Sequence, residues 1–270
     1  MSGWFEFLLP WEFSPLAAAL VIGASVAFVR GARRAPPGQT VGTARWIGFF
    51  SGLALLYFVM QTHFDYVSQH MFFIHRIQHL VLHHSGPFLI ALSRPQDVIA
   101  RGLPARLHDR VLSPLWRHPV VKFVYRLLQN WFVAPVLFVG LIFFWLTPEI
   151  HFYAMLSGTL YHVMNWSMLF DGLLFWFLML DPRTREQGAL IGLGPRIGLL
   201  LAAAFPQIFL GADIGLATHD IYTVYGICGR AWPISALEDQ QLGGLITWIP
   251  AAMMHAVGTL VVLSYWMRSK

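Results

Sequence analysis

The sequence predicts an all-α fold: a polytopic membrane helix bundle of about seven transmembrane helices. Three observations lead there. Hydrophobic residues make up 57% of the 270 and charged residues only 11%, where water-soluble domains carry roughly 25% charge. Mean hydropathy is +0.59. Apolar stretches approaching the ~20 residues that cross ~30 Å of hydrocarbon recur along the whole chain.

Taken in order, residues 1–14 are aromatic and acidic, suited to the membrane interface, and Pro15 opens the first span at 16–29. They lack the basic stretch ahead of an apolar run that a cleaved signal peptide shows. A short basic turn, GARRAPPGQT, leads to the second span at 46–62, and the third covers 72–92. Residues 94–130 alternate basic with apolar side chains; Val98, Leu103, Leu107, Val111 and Leu115 recur at helical spacing, which predicts an amphipathic connector on the membrane surface. The fourth and fifth spans are read at 131–147 and 159–180. The sixth, 197–212, is short and carries Pro206 and Gln207; a long loop at 211–243 precedes the seventh at 244–267. The chain reads as one membrane domain, 1–270, without the internal repeats of secondary transporters.

Basic residues set the orientation. Arg30, Arg33, Arg34 and Arg45 flank the first loop, Arg94 through Arg126 fill the third, Arg183, Arg185 and Arg196 mark the fifth, and Arg268 and Lys270 follow the last span. The positive-inside rule makes these cytoplasmic, so the N-terminus is expected outside and the C-terminus cytoplasmic. Glu6, Glu12, Asp65, Glu149, Asp213, Asp220, Glu238 and Asp239 fall on the opposite side. The pI near 9.7 then reflects topology and anionic lipid, with no nucleic-acid meaning. The single cysteine, Cys228, excludes an internal disulfide and any Cys-x-x-Cys motif.

The chemistry concentrates in the third span, in IHRIQHLVLHHSGPFLIAL. His75, His79 and His83 lie four apart, which stacks imidazoles on one helical face at steps of ~6 Å; His84 is turned by roughly 100°. Ionisable groups inside hydrocarbon are functional candidates by default, and His79, His83, His162, Asp171 and His255 qualify. Only His108 and His118 of the twelve histidines fall on the cytoplasmic side, a bias that points to a site opening outward. Imidazole with thioether sulfur suits copper, Cu(I) rather than Cu(II) where sulfur joins. Met71, Met155, Met164, Met253 and Met254 lie at matching depths, and the H-E-x-x-H arrangement of zinc hydrolases is missing. The candidate metal ligands are therefore His75, His79, His83, His162, His255 and Met254. The Glu238-Asp239-Gln240-Gln241 run either collects a cation at the mouth of the last span or caps its helix.

The block His75-Arg76-Ile77-Gln78-His79-Leu80, with Gly86-Pro87-Phe88-Leu89 and Leu92-Ser93-Arg94-Pro95 after it, resembles the multi-pass CtaG family of cytochrome c oxidase assembly factors, in its caa-type branch. Gly172-Leu173-Leu174-Phe175-Trp176, Asp181-Pro182 and the run from Leu237 to Pro250 extend the likeness. The resemblance implies a seven-helix protein of the inner cell membrane. Such a protein is no enzyme; it helps insert copper into a haem-copper oxidase, with His75 and His79 as candidate ligands. An oxidase subunit and an outer-face copper donor are the implied partners, and oligomerisation stays open. Two departures stand out. Arg76 occupies a position where the family often has Met, and Asn165-Trp166 stand where it often has Glu-His.

Two other classes compete. A membrane b-type cytochrome would pair His79 with His162 or His255 as axial haem ligands. A transporter of copper or another cation would use Asp171 and His255 as midplane relay groups.

Overall fold

Residues 72–93 are the axis of the molecule. In the computed structural model, which describes residues 9–269, three segments follow one another without a gap: α4 (Phe72–Leu80), a π-turn (Val81–Ser85) and α5 (Gly86–Ser93). Around them pack α2 (Thr43–Gln61), α10 (Gly158–Met179) and α13 (Ala236–Arg268). Outside these lie α1 (Pro15–Arg33), α8 (Val133–Leu146) and α11 (Leu193–Leu216). The short helices α3 (His63–His70), α6 (Gln96–Gly102), α7 (Pro119–Leu128), α9 (Pro148–Leu156) and α12 (Val224–Cys228) connect them. Among the described residues the regular structure is helical, apart from one isolated bridge between Pro10 and Thr62.

Among the described residues four helices are long and apolar enough to cross a membrane: α1, α2, α11 and α13. A fifth is counted if α7 and α8 form one span bent by 72°. The difference from the expected seven has physical causes. The third span is interrupted by the π-turn, and α10 has the length but carries Tyr161, His162, Asn165 and Asp171. The sixth stretch is longer than expected, since α11 continues through Pro206 to Leu216. With α13 beginning at Ala236, the long loop narrows to 217–235.

Large apolar side chains on the outside, such as Leu20, Ile22, Phe143, Phe205, Phe209 and Leu260, are exposed, as expected of surfaces solvated by lipid. Helix contacts inside are close because small residues line them. Gly244 of α13 lies against Gly211 and Gly215 of α11, and a Cβ at Gly172 would stand 2.6 Å from the His83 carbonyl oxygen. Three short turns, Ala105–Leu107, His108–Leu112 and Ser113–Arg117, lead from α6 to α7. Leu107, Val111, Leu115, Val120, Phe123 and Leu127 along this connector are uncovered by the rest of the protein.

One end of the bundle collects arginines. Arg45 donates through Nε to the Ser93 carbonyl at 2.7 Å and through Nη2 to the Arg94 carbonyl at 2.5 Å. These bonds hold Arg94 in a left-handed conformation, φ +48°, which costs a non-glycine residue free energy unless its surroundings fix it. Arg34 reaches the Arg101 carbonyl, and Arg196 donates to the carbonyls of Asp181, Arg183 and Ile191. Arg94 and Arg268 line the same surface pocket.

Candidate functional site

Four histidines sit on the central run, and its phase decides which of them meet. Residues four apart share a face in α4, so His75 and His79 stack with ring centroids 4.3 Å apart. They are 0% and 1% exposed. Among the described residues no nitrogen of either ring makes a hydrogen bond of ordinary geometry. A buried polar atom left unpaired costs about 1–3 kcal/mol, so four of them side by side are a liability if packing is their only role. Asn165 of α10 turns its side chain toward His79, at the edge of hydrogen-bonding reach.

Beside the two rings, α4 is anchored by polar bonds. Gln78 donates through Nε2 to Asp65 Oδ1 at 2.6 Å and to the Val59 carbonyl at 2.8 Å. The Tyr161 hydroxyl donates to the same Asp65 oxygen at 2.7 Å. Asp239, fully buried, accepts from the backbone N–H groups of Phe72 and Phe73 at 3.0 and 2.9 Å. It thereby caps the N-terminus of the histidine helix from across the bundle. Glu238 closes a capping box with Ser235 on its own helix, and Gln240 accepts from the Ile221 N–H while donating to the His219 carbonyl. The acidic run is thus used to fix helices.

A third imidazole comes from α9. His151 packs edge-on against His75, with centroids 5.3 Å apart and planes at 74°. Its Nδ1 lies 3.0 Å from the Trp145 carbonyl oxygen, an atom that only accepts, so Nδ1 carries the proton. In the neutral ring Nε2 is then a lone pair, which takes the Tyr225 hydroxyl at 3.0 Å. Beside His151 an open cavity of about 500 Å³ reaches the surface, with Glu149, Tyr153, Tyr222 and Thr223 also lining it.

The second group starts at the π-turn. Pro87 has no N–H for the His83 carbonyl four residues earlier. The turn widens so that the Gly86 N–H donates to the Val81 carbonyl, and the Trp176 indole donates to the His83 oxygen at 3.1 Å. His83 and His84 both end up buried. His83 Nε2 meets Asp171 Oδ2 at 3.1 Å, Phe138 stacks on its ring at 3.9 Å, and His84 faces His255 at 5.5 Å. Gln207 of α11 lies 3.3 Å from His255 Nε2. Between the two groups is a void of about 10 Å³, lined by Arg76, His79, His83, His84, Met168 and Thr247, room for about one water. Arg76 Nε donates to Thr247 Oγ1 at 3.0 Å, and among the described residues no carboxylate pairs with this arginine.

Of the residues singled out in the sequence, His75, His79, His83 and His255 are therefore buried in two adjoining groups. His162 is not with them: it is exposed on the outer face of α10, while Asn165, three residues on, turns inward. Met254 is half-buried against the core around Trp176 and Phe138, and the sulfur beside the void belongs to Met168. Among the described residues no group of three or more His, Cys, Asp or Glu side chains is arranged to hold an ion as it stands. His151, the third ring at His75, has both nitrogens engaged. Sequence reasoning missed His151 and Met168, neither of which lies on the third span or shares its spacing.

Comparison with known proteins gives the chain its relatives. The profile of the family described as cytochrome c oxidase caa3 assembly factor (Caa3_CtaG) matches residues 25–269. An uncharacterised protein of Mycobacterium bovis and one of Mycobacterium tuberculosis are each 27% identical over 289 aligned positions. The alignment covers 97% of this chain and 40% of each relative, so the chain spans less than half the length of these proteins. No solved structure matches.

Proposed function

The chain belongs to the Caa3_CtaG family of cytochrome c oxidase caa3 assembly factors, and from that premise we propose that it takes up copper at His75 and His79 and passes it to a haem-copper oxidase subunit in the same membrane. The observation that carries the reading is the buried pair with four unpartnered nitrogens 4.3 Å apart by ring centroid. Imidazole lone pairs suit copper, and a two-nitrogen pair with a nearby thioether suits Cu(I). A linear or three-coordinate ion leaves room for exchange, which cargo requires. His83, His255 and Met168 extend the set of donors toward the second group, and Arg76 opposes lasting retention of a cation.

In this reading the role is non-catalytic, the protein lies in the inner cell membrane, and copper arrives from an outer-face donor. The arginines gathered at one end of the bundle support an N-terminus outside and a C-terminus in the cytoplasm. Seven crossings follow if the central run, the bent pair and α10 all span. The rings around His83, His84 and His255 pack at 3.9 to 6.1 Å, a density that favours a small ion over a porphyrin.

The test is metal analysis of detergent-purified protein after anaerobic Cu(I) loading, beside a His75→Ala/His79→Ala variant. Copper kept by the wild type and lost by the variant is the expected outcome. Equal retention by both sinks the assignment, and a Soret band in the wild type would indicate haem.

A further inference from the structure

His75 and His79 are sealed from solvent, so a cation needs a way to reach them. The open cavity beside α9 shares one side chain with the pair: His151 lines that cavity and packs against His75. Its Nε2 lone pair is the atom able to bind a soft cation, and the Tyr225 hydroxyl occupies it. The cavity rim carries the carboxylate of Glu149, which attracts a cation to this mouth and no anion.

We propose that His151 is the gate through which a monovalent soft cation passes from the outer cavity to the His75–His79 pair, with Tyr225 as its latch. The proposal rests on the copper reading above. The step is ligand exchange without change of oxidation state. The hydrogen bond from the Tyr225 hydroxyl to Nε2 breaks as the hydroxyl swings off the ring, and Nε2 forms a bond to the cation in place of one of the carrier's two ligands. His75, 5.3 Å away by ring centroid, displaces the carrier's second ligand, and His79 then displaces His151, whose Nε2 returns to Tyr225. The bond from Nδ1 to the Trp145 carbonyl holds the tautomer throughout, so no proton is moved.

This arrangement separates rate from affinity. His151→Phe keeps an aromatic ring among Phe72, Tyr222 and Tyr225, its present neighbours, and removes the lone pair. Loading from a Cu(I)–bicinchoninate complex, followed by stopped-flow, should slow by roughly tenfold or more, because the ion must await local opening of packed structure. Copper bound at equilibrium should stay as in the wild type. Tyr225→Phe should load faster, by about 2- to 10-fold, the range for removing one hydrogen bond.

Wild-type loading rates in both variants would overturn the gate. So would an equilibrium loss in His151→Phe as deep as that of His75→Ala, which would make His151 a permanent ligand. A wild type that binds no copper would instead sink the underlying reading, before either variant is compared. Should His151→Phe fail to fold, Tyr225→Phe still decides, since slower loading there contradicts a latch.

Discussion

At the scale of single residues, the site is built from groups that the fold leaves unsatisfied. Unpaired buried nitrogens on His75 and His79 destabilise the ion-free protein by about 1–3 kcal/mol each. Replacing both rings with leucine should therefore raise the melting temperature of copper-free protein in detergent, while abolishing the further rise that Cu(I) gives the wild type. A lower melting temperature in the leucine variant would show that the rings are held by packing. Asp239 works the other way, since both of its oxygens are used on the backbone of the histidine helix. Asp239→Ala should cost about 1–3 kcal/mol in thermal unfolding, and Asp239→Asn less, because one acceptor survives. The first pair was legible in the sequence because a spacing of four is a local signal. The role of Asp239 was not, because its partner Phe72 is 167 residues away and a carboxylate near a helix start suits capping its own helix equally well.

At the scale of elements, the central run owes its shape to Pro87. Pro87 leaves the His83 carbonyl without its usual N–H donor, the Trp176 indole takes it, and both His83 and His84 lie buried. The proline was visible in the sequence, but the change of phase depends on a partner from α10. The same contact makes Gly172 necessary: valine there would press its Cβ to 2.6 Å from the His83 carbonyl oxygen. Gly172→Val should destabilise by about 1–3 kcal/mol, read as a lower midpoint in thermal unfolding; an unchanged midpoint would mean the two helices can separate freely. Apolar runs located the helices well, with α1 and α2 near their expected places. The fourth and fifth stretches fall on α8 and α10 to within two residues, whereas α13 begins eight residues ahead of its apolar run because Glu238, Asp239, Gln240 and Gln241 make its first turns polar.

At the scale of the whole molecule, charge gives the bundle a direction and Cys228 offers a way to read it. This thiol is exposed near the end of α12, at the far end from the gathered arginines. A membrane-impermeant maleimide should label it in spheroplasts and leave it unlabelled in inverted vesicles; the reverse pattern would invert the topology. The bond between His83 and Asp171 also sets a timetable for synthesis. The two residues are 88 positions apart, and at roughly 5–20 residues per second a ribosome needs roughly 4 to 18 s to travel from one to the other. Through that interval the histidine helix has left the ribosome while α10, bearer of its carboxylate and its indole, has yet to be made. The nascent helix must be sheltered by the insertion machinery until its partner arrives, so limiting that machinery should deplete this protein sooner than one whose spans are each apolar enough to enter lipid alone.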